Sequence, residues 1–286
     1  MSYDLFLKPK EGAFSEEDFR RYFSGRKNYK LEGTQAWYEN EITGVYFFFE
    51  LQNDDDESGG DYYPVAFNMN YFRPSYFVDE AEPEVSGLII EFSMTVEDPQ
   101  THGMGTGDYS AEKFIGGWLH GNEFGYSAVL KDHPKVATLP QQKLRNAWEW
   151  NYNKDSLQEA VADDVFVPRI MLLSHKGKTV TAVVWPDAIP SVIPEVDIFL
   201  IGRKKLAPKR FFRKSEDMAI GCWKEFQPLL DKHKTKMQGE AYYLYYESVP
   251  DEIKKSVKFL SASVDGELEG LGNDQVLDRE IVQKFV

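Results

Sequence analysis

A single cysteine, Cys222, stands in the whole chain, which excludes an internal disulfide and any metal centre built from several thiolates. A reducing compartment, the cytoplasm, is the expectation that follows. Long apolar runs are missing too. Stretches such as 45–49 and 198–201 fall far short of the roughly 20 residues that cross a bilayer, and the first eight residues show no basic stretch ahead of an apolar one. Neither a membrane span nor a secretory leader is expected. Positive charge is in deficit: 33 Lys and Arg face 47 Asp and Glu in 286 residues, a net charge of −14. That balance argues against a whole-surface grip on nucleic-acid phosphates. The five histidines, His102, His120, His133, His175 and His233, never take the spacing that brings two imidazoles to one metal, and there is no Gly-x-Ser-x-Gly elbow. On these grounds no metal, cofactor or catalytic residue is assigned.

What the chain does have is bulk for a core, with 42% hydrophobic and 15% aromatic residues. A chain this long buries about 75% of its unfolded surface and needs no covalent staples. Tyr3, Leu5 and Leu7 alternate with polar neighbours, predicting a strand up to Pro9. Ser15 followed by Glu16, Glu17 and Asp18 predicts a capped helix through Phe23, stopped by Gly25. Aromatic and β-branched residues predict strands at 29–38, 44–51 and 65–71, and 94–96 follows a predicted helix at 74–92. Ser110 is placed to cap a helix over 111–130. Further helices are expected from Pro140 through Tyr152 and over 156–161, 219–234 and 250–260. Strands are expected at 165–173, 179–185, 196–201 and 242–247. The fold class is therefore α+β, with helices packed on mostly antiparallel sheets in two lobes. The division is expected near 103–108, giving lobes 1–105 and 106–286 that share one core or stand as separate domains.

Several segments invite chemistry. Gly103-Met104-Gly105-Thr106-Gly107-Asp108 resembles a phosphate-cradling loop, but it lacks the Lys-Ser or Lys-Thr pair of a P-loop, and Asp108 and Glu112 put negative charge where a phosphate sits. A turn with a helix cap is the expectation. His120 and Glu123, three residues apart on a predicted helix, share a face. Asp163, Asp164 and Asp187 lie at strand ends, and Cys222 stands beside Trp223. A basic island of Arg203, Lys204, Lys205, Lys209, Arg210, Arg213 and Lys214, with Phe211 and Phe212 inside it, has the composition that holds single-stranded nucleic acid. Pairing with the chain's own acids is the simpler expectation, so no nucleic-acid partner is expected. Two acidic concentrations remain, one at Asp54, Asp55, Asp56, Glu57 and Asp61, the other at Asp265, Glu267, Glu269, Asp274, Asp278 and Glu280. The first lacks the spacing of a calcium loop. A dense negative patch instead speeds encounter with a basic partner.

The opening MSYDL, with VYFFFE, FNMNYFRP, GMGTGDYS, NEFGY, DVFVPR and VVWPDAIP, resembles a family of uncharacterised bacterial proteins. The acidic, cytosolic character is similar to that of immunity proteins from polymorphic-toxin systems. The resemblance implies a protein that occludes a cognate toxin; a nuclease or other cationic toxin fits the −14 charge and the two acidic concentrations, since the inhibitor would imitate its negative substrate. The residues expected to meet that partner are Asp54, Asp55, Asp56, Glu57 and Asp61 for steering, with Tyr62 and Tyr63 as anchors. The alternative is a hydrolase-like enzyme with its site between the lobes, drawing on His120, Glu123, Asp187 or Cys222.

Overall fold

Alternation of apolar and polar residues sets the first sheet. In a computed structural model, which describes residues 1–52, 62–208, 217–263 and 266–286, Tyr3, Leu5 and Leu7 share one buried face of β1 (Ser2–Pro9). Helix α1 (Glu16–Phe23) starts from a reciprocal cap. The Ser15 hydroxyl accepts the Asp18 N–H at 3.1 Å, and the Asp18 carboxylate accepts the Ser15 N–H at 3.1 Å. The stretch expected as one strand at 29–38 is two, β2 (Tyr29–Glu32) and β3 (Gln35–Asn40). Gly33, at φ +61°, turns the chain so that Glu32 lies opposite Gln35.

Strands β4 (Val45–Leu51) and β5 (Val65–Asn70), helix α2 (Phe77–Glu91), strands β6 (Met94–Asp98) and β7 (Gly105–Gly107), and helix α3 (Ala111–Leu130) follow. The sheet is entirely antiparallel, in the order β2-β3-β4-β5-β1-β6-β7. Aromatic rings join its buried face to the helices. Phe23 of α1 lies 5.1 Å from Phe49, and Phe114 of α3 lies 5.4 Å from Tyr3 and 5.7 Å from Phe67, centroid to centroid. Strand β8 (Ala137–Leu139) and helix α4 (Gln141–Tyr152) come next.

Two compact units make up the chain: Met1–Leu144 with Asp274–Val286, and Arg145–Asn273. The division falls inside α4, and the glycine-rich segment 103–108 lies within the first unit. In the second unit, helix α5 (Lys154–Glu159) precedes β9 (Met171–His175), β10 (Lys178–Val184), β11 (Ser191–Ile193) and β12 (Ile198–Arg203). Only the end of the strand expected at 165–173 forms, because Pro168 has no N–H to give to a ladder. Side chains hold the earlier part instead: Gln158 takes the Val167 N–H at 3.0 Å and Asn151 the Ile170 N–H at 2.8 Å.

The helix expected over 219–234 is shorter. Its first residues form β13 (Asp217–Cys222), paired along its length with β12, and α6 (Trp223–His233) begins only afterwards. Strands β14 (Lys236–Gln238) and β15 (Ala241–Leu244), helix α7 (Asp251–Phe259) and strand β16 (Leu268–Leu271) complete this unit. Its sheets run β13-β12-β10-β9-β16, with β10 and β12 parallel, and β11-β15-β14. Trp185, Phe199, Trp223, Phe226 and Leu230 form its buried centre. Strand β17 (Val276–Asp278) and helix α8 (Arg279–Val282) belong to the first unit, where β17 pairs in parallel with β8. The fold is α+β with mostly antiparallel sheets. Among the described residues no helix is long and apolar enough to cross a membrane.

Candidate functional site

The glycine-rich segment folds around an anion that the chain itself supplies. Asp98, the last residue of β6, is buried, and its carboxylate accepts the Tyr3 hydroxyl at 2.5 Å, the Met104 N–H at 2.9 Å and the Gln100 N–H at 3.1 Å. A Cβ on Gly103 would overlap that carboxyl, so only glycine fits there. Burial, followed by the contact with Asp98, pushes the Tyr3 phenol far above its ordinary range, which keeps it a donor. The loop is thus a nest for Asp98, and the helix cap expected behind it forms at Ser110, whose side chain accepts the Lys113 N–H.

Beside this loop, Met1 and Ser2, residues 100–102 and α3 form a cleft of about 390 Å³. Tyr71 supplies one wall because α3 carries Gly121 and Gly125 one turn apart, and a Cβ on Gly121 would overlap the tyrosine ring. The Tyr71 hydroxyl donates to Gln100 Oε1 at 2.9 Å, and burial raises its pKa. His102 from the loop and His120 from α3 meet in the cleft with ring centroids 3.8 Å apart and planes inclined at 51°. Phe124, one turn beyond His120, is 63% exposed. The expected partner of His120 is engaged elsewhere: the Glu123 carboxylate pairs with the Lys284 ammonium at 3.0 Å. Sequence spacing along one helix found Glu123; the loop residue His102 had no local signal to pair it with His120.

No family model, curated protein or solved structure matches this chain.

The residues expected to meet a partner are only partly within view. Asp54, Asp55, Asp56, Glu57 and Asp61 lie outside the described residues. Tyr62 is 40% exposed and its hydroxyl donates to the Gln52 carbonyl at 2.7 Å. Tyr63 is buried, with the Lys8 ammonium 4.7 Å from its ring centroid. In the second acidic concentration Asp265 lies outside the described residues and Glu269 is exposed, while three others are engaged internally. Glu267 meets Lys176 at 3.0 Å, Glu280 accepts the Gln141 N–H at 2.8 Å, and Asp278 is buried. Within the basic island, Arg203 is 1% exposed and clasps Asp217 through Nε at 2.7 Å and Nη2 at 2.8 Å. Its Nη1 donates to the Val257 and Leu260 carbonyls at the end of α7. Lys209, Arg210, Phe211, Phe212, Arg213 and Lys214 lie outside the described residues.

Asp187 is held in a comparable way. Its Oδ1 accepts the backbone N–H groups of Lys204, Lys205 and Leu206 at 2.9, 2.8 and 3.0 Å. Among the described residues, His120 and Glu123 of the first unit form no hydrogen bond with each other, nor do Asp187 and Cys222 of the second, and no group of three or more His, Cys, Asp or Glu is placed to hold a metal.

Charge divides sharply between the units. The first holds 28 acidic and 14 basic residues, a net −14, and the second holds 19 of each. Several carboxylates of the first unit stay open to solvent. Glu11, Glu17, Glu39, Glu41 and Glu91 are exposed and make no side-chain hydrogen bond or ion pair among the described residues. Counting acids and bases by lobe reveals the asymmetry from sequence alone, since residues 1–105 already hold 21 acids and 8 bases.

Proposed function

We propose that this protein is a cytoplasmic protein-binding module whose acidic first unit captures a basic partner. In its most concrete form it is an immunity protein that neutralises a cognate bacterial toxin by steric and electrostatic blockade. The observation that carries this reading is the confinement of the whole −14 to one unit. A unit of strongly negative net charge attracts a cationic surface over about a Debye length and orients the encounter, whereas the same charge spread over both units gives less direction. A nuclease fits this chemistry, because its basic substrate groove accepts carboxylates in place of phosphates.

Asp54, Asp55, Asp56, Glu57 and Asp61 supply five of the 28 acids, and the exposed Tyr62, which follows Asp61 in sequence, serves as an aromatic anchor. One free, exposed cysteine accords with a reducing cytoplasm. The test is kinetic. In the full chain, Asp54→Asn, Asp55→Asn, Asp56→Asn, Glu57→Gln and Asp61→Asn together are expected to slow association with the native partner by about tenfold at low salt while leaving dissociation nearly unchanged. Equal association rates for the two proteins would contradict the electrostatic part of the proposal. Cells lacking the gene should be inhibited by neighbouring strains that deliver the toxin, and unaltered growth beside them would contradict the immunity role.

A further inference from the structure

We propose that the cleft between the 99–104 loop and α3 binds an uncharged planar heteroaromatic molecule of the nucleobase or nucleoside class. The site is distinct from the acidic surface and does not depend on the protein-binding role. Its size, about 390 Å³, falls within the range of small-molecule sites, near 300–1,000 Å³. Its walls combine ring faces with hydrogen-bonding edges. Tyr71 and the 63%-exposed Phe124 offer aromatic surface, and His102 and His120 add two more rings. Neither imidazole has a hydrogen-bond partner among the described residues, so the ring nitrogens of both are available to hydrogen-bond a ligand. Gln100 spends its carbonyl oxygen on Tyr71, leaving its amide NH₂ as a further donor.

Charge decides among ligand classes. No Lys, Arg, Asp or Glu lines the cleft, and the unit around it carries −14. A phosphate therefore finds no Lys or Arg side chain among the lining residues and meets an unfavourable field, while an ammonium ion finds no carboxylate side chain among them to pair with. A shared metal does not suit the two histidines. Imidazole nitrogens about 2.1 Å from one ion, at a tetrahedral or right angle, set their ring centroids roughly 4.5–5 Å apart. The observed 3.8 Å is ring-on-ring contact instead. A neutral heterocycle uses what is present: its faces lie against the rings, and its nitrogen and carbonyl edge meets donors and acceptors of both kinds.

Calorimetry and imidazole proton resonances of the full chain, titrated with adenosine, cytidine and adenosine monophosphate, test this. At least one nucleoside is expected to bind saturably and shift the His102 and His120 resonances, with the monophosphate weaker than adenosine by several-fold. Phe124 and His120 are both exposed, so Phe124→Ala and His120→Ala leave the core intact. Each is expected to weaken the nucleoside about tenfold, within the loss expected for one ring stack. No saturable binding by either nucleoside, affinity unchanged in both variants, or tighter binding of the monophosphate would each overturn the proposal.

Discussion

Replacing Asp278 tests how the C-terminal strand is fastened to the first unit. Asp278 ends β17 and is fully buried, with Oδ2 accepting the Ser75 N–H at 2.7 Å and the Tyr126 hydroxyl at 3.0 Å, and Oδ1 accepting the Ser75 hydroxyl at 2.8 Å. Asp278→Ala strands the buried Ser75 N–H without an acceptor, at a cost of about 1–3 kcal/mol. Tyr126 loses less, because its hydroxyl also lies 3.1 Å from the Arg73 carbonyl. The small cavity adds to the cost and removal of a buried charge offsets part of it, so a net loss of about 2–4 kcal/mol is expected. Asp278→Asn keeps an oxygen for Ser75 and Tyr126 and offers its NH₂ to the Ser75 hydroxyl, so a change within about 1 kcal/mol is expected.

Burial raises the Asp278 pKa against the opposing pull of the Ser75 and Tyr126 hydrogen bonds. The folded state therefore holds this proton to higher pH than the unfolded state, whose carboxyl titrates near 3.9. The stability contributed by that proton is complete below the unfolded value and lost as pH rises through the folded one. Asp278→Asn should thus gain on the wild type between about pH 4 and neutrality. Urea unfolding of the three proteins across that interval is the assay. An alanine variant within about 0.5 kcal/mol of wild type, or an asparagine-to-wild-type difference independent of pH, would refute the reasoning.

Three further substitutions probe other parts of the fold by denaturant or thermal unfolding. Arg203→Ala leaves Asp217 and two carbonyls at the end of α7 without their donor and should cost about 3–5 kcal/mol, with Arg203→Lys restoring less than half; a loss under about 1 kcal/mol would contradict the role given to this pair. Asp187→Ala removes the acceptor for three backbone N–H groups at a residue with φ +44° and should cost about 1–3 kcal/mol, while Asp187→Asn stays close to wild type; equal stability of the two variants would count against the nest. Gly121→Ala drives a methyl into the Tyr71 ring and should cost about 1–3 kcal/mol and shift the Tyr71 ring resonances; an unperturbed ring would contradict the described packing.

Local signals carried the first unit far. The alternation of Tyr3, Leu5 and Leu7, the Ser15 cap with its acidic first turn, and the Ser110 cap each appear where one element's own residues predict them. What the sequence did not disclose depends on partners distant along the chain. The residues of β13 suit a helix by spacing, yet Ala219 and Ile220 pair with Ile201 and Leu200 of β12, and tertiary pairing overrides propensity. Gly221 lets the strand lie close to α6, since a Cβ there would stand 2.7 Å from the Phe226 ring. Arg203 reads as one member of a basic island until the strand register sets it opposite Asp217. The contact between His102 and His120 depends on the turn at 99–104, which the buried Asp98 holds from inside. Sequence composition gave the net charge directly, while its confinement to one unit needed the fold to define the boundary.

The central claim is that the acidic unit selects a basic protein partner. Its most direct test is native capture of the full chain's stoichiometric partner, followed by the association rate of the purified pair across ionic strength. A partner of net positive charge is expected, with association falling at least about tenfold between roughly 20 and 200 mM salt as screening shortens the field of the −14 unit. Absence of a stoichiometric partner, or a partner whose association rate is indifferent to salt, would contradict the claim.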